Sequence, residues 1–400
     1  MTVRHVELPG RSDALQIDDD RWGDHRTALR GDWPQTRLTY AAAHVVMRES
    51  YSGVAHSHDS PGQPEAIAEH IDWDATLRHR RYLSKQGFGI GEAMDTAQRM
   101  EIGWESARRL IEGTADLNLP NGFVAGAWID HTVVNGPADL VDAVIYQAGF
   151  IQQAGAIPLI LSMPWLSVNA CDAQTYVDVY ASIIKSLDGP LFIHWLGEMF
   201  QPSLAGYFPG ESFGRIMKID PAKVRGAKLS LFDDALEKRL RLDLLDRDQI
   251  LLTGDDLHFA PLIAGDDQSV VRRTIIGGRA VALGNFSHAL LGIFDGIAAP
   301  AGLAIRLLDQ GETERYHEIM SACELLSRVV FEPPTALYKV GLAFIAYLNG
   351  HQANWMLVNH RERERSPEHL LRVVEAAALA GALTDAPLAA DRLGSWLNQR

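Results

Sequence analysis

Eight short apolar runs, each followed by a longer polar or amphipathic segment, punctuate the chain from residue 38 to residue 283. They are Leu38–Met47, Gly87–Met94, Phe123–Ile129, Ile157–Met163, Leu191–Leu196, Val224–Leu231, Ile250–Thr253 and Ala280–Leu283. Each is apolar at nearly every position rather than at every second one. That pattern suits strands buried on both faces, as parallel strands covered by helices are. The segments between them carry helix signals. Asp72 is placed to cap a helix running through Leu83, and Trp104–Leu117 stops before Pro120. Pro137 opens Pro137–Gln153 at a favourable first-turn position, and Asp172–Leu187 runs into Asp188-Gly189-Pro190. Eight strand-then-helix units predict an α/β chain folded as a (β/α)8 TIM barrel.

The flanks divide the rest. Residues 1–35 are polar, with acidic and Gly/Pro punctuation, and are expected to form an N-terminal arm; residues 36–310 hold the barrel; residues 311–400 form a C-terminal helical extension. Helices are expected there over Thr313–Val330, Thr335–Leu348 and Pro367–Ala380. A barrel needs only its eighth helix in this region, so the remainder is expected to cover one barrel end or to make subunit contacts.

Composition narrows the function. A 47% hydrophobic content supports a large core, and 51 acidic against 37 basic residues give a net charge of −14. That balance argues against a nucleic-acid or anionic-membrane partner. Arg361, Arg363 and Arg365 alternate with Glu362 and Glu364, as on a solvated helix face. Cys171 and Cys323 lie far apart with no metal-ligand spacing, the first residues contain no apolar signal core, and no window reaches the roughly 18 apolar residues of a membrane span. The expectation is a disulfide-free cytoplasmic protein.

Lysine is scarce, at seven of the 37 basic residues. Six stand in polar or amphipathic surroundings. Lys228 instead falls inside an apolar strand, in VRGAKLSLFDD, just before a helix signal. Burial of an ammonium lowers its pKa and yields the neutral amine that attacks carbonyls. Near the C-terminal end of a barrel strand such a residue faces the active site. The plainer alternative is a strand-edge lysine paired with Asp233, Asp234 or Asp255.

VRGAKLSL followed about twenty residues later by ILLTGDD resembles the dihydrodipicolinate synthase and N-acetylneuraminate lyase superfamily, class I aldolase barrels. In that family the sixth strand carries a Schiff-base lysine in a G-x-K setting and the seventh ends in G-D-D. The matching positions are Gly226-Ala227-Lys228 and Gly254-Asp255-Asp256. IDWDATLRHRRYLSKQGFGIG, PLFIHW and GGRAVALGNFSHAL extend the resemblance over roughly residues 36–350, as a divergent branch. It implies a (β/α)8 lyase, aldolase or dehydratase that forms an imine between Lys228 and a carbonyl substrate, needs no cofactor, and assembles as a homo-oligomer, a dimer or a tetramer.

Departures from the pattern bear on the substrate. Where the family carries G-T-T-G-E to hold a carboxylate, this chain has Ala93-Met94-Asp95-Thr96-Ala97-Gln98. Thr96 keeps a hydroxyl, whereas Asp95 repels a carboxylate and suits the hydroxyls of a polyol. His194 stands where a proton-relaying tyrosine ends strand five, and Pro164-Trp165-Leu166 replaces P-Y-Y. Histidine serves acid–base chemistry near neutral pH, so His194 is the expected catalytic partner of Lys228. Asp130 and His131 at the end of strand three, Asp255 and Asp256 after strand seven, and Asn285 after strand eight are expected to bind substrate, with Tyr40, His44 and Ser287 as further pocket candidates. The substrate expected is a polyhydroxylated keto compound or keto acid. Two other classes fit the residues: a divalent-metal barrel enzyme using Asp130, His131, His194, Asp255 and His44, and a non-catalytic barrel sensor.

Overall fold

Seven of the apolar runs become the strands their composition calls for, and they lie parallel in one closed barrel. A computed structural model describes residues 2–23, 36–267 and 269–399. The expected arm therefore falls partly outside the described residues. Within it, β1 (Val3–Val6) and β2 (Leu15–Asp18) form an antiparallel hairpin. Arg11 ties this hairpin to Glu368 and Glu375, and Trp22 Nε1 donates to the Ala380 carbonyl, so it docks on the C-terminal helices.

The barrel strands are β3 (Thr39–Ala42), β4 (Gly89–Glu92), β5 (Phe123–Ala127), β6 (Ile157–Ile160), β7 (Leu191–Leu196), β8 (Val224–Ser230), β9 (Ile250–Thr253) and, past an intervening hairpin, β12 (His288–Leu291). Alternate residues point to opposite faces, as the pleat requires. Tyr40, Val124, Leu159, Phe192, Leu252 and Leu290 share the interior cluster. Their neighbours Ala41, Ala125, Ile160, Ile193, Leu251 and Leu291 pack outward in the large core under the helices. His194 and Lys228 stand two residues beyond Phe192 and Gly226, which are partners across β7 and β8, and they sit side by side in the same register.

The eighth strand differs from expectation. Ala280–Leu283 lies within β11 (Arg279–Leu283), which pairs antiparallel with β10 (Arg272–Ile276) outside the barrel. The turn between them is Gly277-Gly278, both at positive φ (55° and 77°), the two-residue hairpin geometry that glycine permits. Ile276, Val281 and Leu283 join the interior cluster, so this hairpin closes the barrel floor. His288 fastens it: Nδ1 accepts from Leu38 N at 2.8 Å and Nε2 faces the Ala282 carbonyl at 3.0 Å.

The helices follow their signals closely. Asp72 caps Trp73–Lys85 and Asp172 caps Ala173–Ser186, each accepting from a backbone N–H three residues on. Phe294–Asp309 follows β12 as the barrel's last helix. Beyond it, Thr313–Val330, Tyr338–Leu348, Pro367–Ala380 and Ala386–Asn398 form a helical region. It crosses the barrel mouth: Gln98 and Val358 exchange hydrogen bonds, and Gln352 reaches His44. Among the described residues no single helix is long and apolar enough to cross a membrane.

One buried acid outside the mouth predicts a pH signature. Glu237 accepts hydrogen bonds from Ser287 (2.7 Å) and Thr253 (2.9 Å). Burial pushes its carboxyl up to about 8, against those hydroxyls. The folded state then holds a proton that the unfolded state gives up above pH 4.5, so stability falls as pH rises from 4.5 to about 8. At full effect the slope is about 1.4 kcal/mol per pH unit. Glu237→Gln is expected to match the wild type at pH 5 and exceed it at pH 8 in urea titrations; identical pH dependence in both proteins contradicts the assignment.

Candidate active site

Two glycines explain why the strand around Lys228 reads as it does. A side chain at Gly226 would place Cβ 2.2 Å from the Ile250 carbonyl, so β8 meets β9 only with glycine there. A Cβ on Gly254 would stand 2.3 Å from Ser230 Oγ and 2.9 Å from Lys228 Cε. The turn leaving β9 thus lies directly against the lysine stem, and the residue after it but one, Asp256, is carried into the same space.

That space is a cavity of about 580 Å³ at the C-terminal end of the barrel, counting its opening to solvent. Lys228, His194, Asp95, Thr96 and Asp256 all line it, together with Ser230, Arg99 and Tyr338. Lys228 is 8% exposed. Among the described residues its Nζ has no hydrogen bond or ion pair: Asp233 caps the next helix, Asp234 pairs with Lys238, and Asp255 bonds His258. Burial lowers the Lys228 pKa below the ordinary amine range, against the pull of the Asp256 and Asp95 charges. Asp256 accepts from Ile293 N at 2.8 Å, and burial pushes its carboxyl above the ordinary range. His194 Nε2 meets Ser230 Oγ at 3.2 Å; burial first, and the Lys228 charge second, hold it well below the usual imidazole range. It is neutral at physiological pH.

The other expected site residues are placed elsewhere. Asp130 receives the Arg99 fork at 2.9 and 2.7 Å and also a Gln147 amide, so it grips the arginine from behind the cavity wall. His131 stands with Asp130 beside an outer groove. Asp255 folds its carboxylate back onto the N–H groups of Leu257 and His258. Asn285 precedes β12 rather than following it, so it lies at the opposite barrel end, bonded to Arg241. Ser287 bonds Glu237 there, and Tyr40 lies in the interior cluster beside Arg279. His44 shares the Asp295 carboxylate with His79, at 2.6 and 2.8 Å, and its other nitrogen faces Gln352. The set Asp130, His131, His194, Asp255 and His44 therefore does not converge; among the described residues the group close enough to hold an ion is His44, His79 and Asp295.

Asp95 also differs from its reading as a free carboxylate. Lys339 pairs with it at 2.9 Å, and the neighbouring Tyr338 hydroxyl meets Thr96 Oγ1 at 2.8 Å. Both partners come from the C-terminal helical region.

Over residues 10–400 the sequence matches the family described as "Protein of unknown function (DUF993)". The chain belongs to the DUF993 family. No curated protein matches this DUF993 sequence. Solved structures do. Dihydrodipicolinate synthase from Oceanobacillus iheyensis is 14% identical, with a TM-score of 0.59 over 90% of this chain and 97% of that one. The Agrobacterium tumefaciens dihydrodipicolinate synthase is 15% identical, TM-score 0.61, over 89% and 100%. N-acetylneuraminate lyase from Fusobacterium nucleatum is 15% identical, TM-score 0.58, over 86% and 98%. The DUF993 chain thus has the fold of these proteins, as the resemblance implies.

Sequence reading missed Ser230, Arg99, Tyr338 and Lys339. Ser230 was within reach, since it stands two residues past Lys228 on the same strand face. Nothing in the DUF993 sequence signals that Tyr338 and Lys339 return to the mouth.

Proposed function

We propose that this protein is a lyase of the class I aldolase type, forming a Schiff base between Lys228 and a keto substrate and cleaving or dehydrating it. The observation that carries this reading is the Lys228 amine: buried, lining the cavity at the barrel mouth, and without an ion pair among the described residues. The neutral amine adds to the substrate carbonyl carbon, and the resulting carbinolamine loses water to leave the imine. Once protonated, the imine accepts the electron pair of the breaking carbon–carbon or carbon–hydrogen bond, giving an enamine. In cleavage, the hydroxyl-bearing fragment gives up its O–H proton and leaves as a carbonyl compound, and the enamine is reprotonated at carbon; in dehydration, the enamine formed by proton loss expels the neighbouring hydroxyl as water. Addition of water to the remaining imine then releases product and regenerates the amine.

Protons must be moved at several of these stages. Burial acts in opposite senses on Lys228 and Asp256, lowering the base and raising the acid, so a proton passes between them near neutral pH at little cost. Asp256 is accordingly the acid–base group. His194, neutral throughout, orients the Ser230 hydroxyl toward the carbinolamine rather than acting as an imidazolium donor. Thr96 and Tyr338, bonded to each other, supply hydroxyls at the substrate's far side.

Borohydride reduction during incubation with a panel of polyhydroxylated ketones and keto acids is expected to fix one substrate mass, less the oxygen lost as water, on Lys228. Peptide mass mapping that finds no adduct on Lys228 with any compound that the enzyme turns over removes the proposal.

A further inference from the structure

One buried cation in the cavity wall has more donors than the protein satisfies. Arg99 opens the helix Arg99–Asp116 and is wholly inaccessible, with 0% of its side chain exposed. Its Nε and Nη2 are spent on Asp130, and Nη2 also reaches Gln147 at 2.9 Å. Gln147 in turn donates to Asp130 at 2.8 Å and accepts from Trp128 N at 2.7 Å. This frame fixes the plane of the guanidinium. The remaining nitrogen, Nη1, is buried with no hydrogen-bond partner among the described residues, and Arg99 lines the same cavity as Lys228. Buried donors are nearly always paired, and an unpaired one is costly, more so on a charged group. A rigidly held guanidinium with two spare N–H groups at a cavity wall is built for an acceptor that arrives with the ligand.

We infer that Arg99 forms an anion subsite of the Lys228 cavity, so that the ligand carries a carboxylate or phosphoryl group besides its carbonyl. This inference rests on the cavity being the substrate site proposed above. The charge around it allows such a ligand. Asp130 is consumed by Arg99 itself, Asp95 is offset by Lys339 at 2.9 Å, and burial favours the neutral form of Asp256 in the same cavity. Asp130 and Gln147 are then positioning residues, which aim the arginine without touching the ligand.

Binding to full-length Lys228→Ala protein tests the subsite with imine formation removed. Matched probes are dihydroxyacetone phosphate against dihydroxyacetone, and pyruvate against hydroxyacetone, compared by isothermal titration calorimetry. At least one anionic probe is expected to bind roughly tenfold to a hundredfold more tightly than its neutral partner, the range of a charge-assisted hydrogen bond. Which pair shows the preference tells phosphoryl from carboxylate. Adding Arg99→Gln should erase the preference, and adding Arg99→Lys should keep part of it. If Arg99→Gln fails to fold because Asp130 is stranded, Arg99→Met with Asp130→Asn removes both charges and should give the same loss. No anion preference in Lys228→Ala, or a preference that survives loss of Arg99, overturns the inference. A wild-type protein that prefers anions but yields no borohydride adduct would instead reject the Schiff-base reading and leave the subsite standing.

Discussion

Lys228→Ala is expected to abolish borohydride trapping and to lower turnover by at least about a thousandfold, while the melting midpoint holds or rises. The first effect follows from removing the proposed covalent nucleophile, for which no neighbouring amine substitutes. Lys339, the other lysine near the mouth, is held by Asp95. The second follows from burial. An amine whose pKa is lowered on folding costs stability in full below its folded pKa of about 8, and the cost fades as pH rises to the unfolded value of 10.5, because the unfolded chain hydrates the charge freely. Deleting it relieves that cost. Activity and stability should therefore part company, which circular dichroism melts beside steady-state rates will show. A variant that loses both would mark Lys228 as a structural residue.

The largest stability effect is expected at Arg80→Met. Arg80 and Glu92 are fully buried and form a two-pronged pair at 2.9 and 2.8 Å, and Arg80 also donates to the carbonyls of His44 and Thr76. Glu92 ends β4 and takes a further bond from Thr114 at 2.7 Å. Removing the arginine leaves a carboxylate without its counter-charge under the barrel mouth, and breaking such a pair typically costs about 3–5 kcal/mol. Replacing both partners, Arg80→Met with Glu92→Met, is expected to recover much of that loss, because no charge is then stranded. Urea titration of the single and double variants decides it: equal destabilisation in both would place the energy in packing instead.

The barrel was legible in the sequence for a definite reason. Parallel strands buried on both faces leave unbroken apolar runs, and helix caps such as Asp72 and Asp172 sit at fixed offsets from the segments they start. Local signals failed where two apolar runs stood close together. Ala280–Leu283 and Ala289–Leu291 are both unbroken apolar runs, and only the Gly277-Gly278 turn marks the first as half of a hairpin. That slip carried Asn285 to the wrong end of the barrel. At the site, Lys228, His194, Asp95, Thr96 and Asp256 were accessible because strand ends and the turns that follow them converge in this fold. Asp130 and Asp255 were at strand ends too, but each is turned away by a local partner that no spacing rule reveals: Arg99 for one, the following backbone for the other. Tyr338 meets Thr96 across a separation of 242 residues, beyond the reach of any periodicity.

That last contact also sets an order of events. Chain segments fold roughly as they leave the ribosome, and contacts far apart in sequence close late. The eight strands can come together while the cavity above them is still roofless, with Lys228 open to the surroundings. Only when residues 338 and 339 have emerged and settled onto Thr96 and Asp95 does the vessel acquire its lid. Lys228 is thus set in place first and covered last.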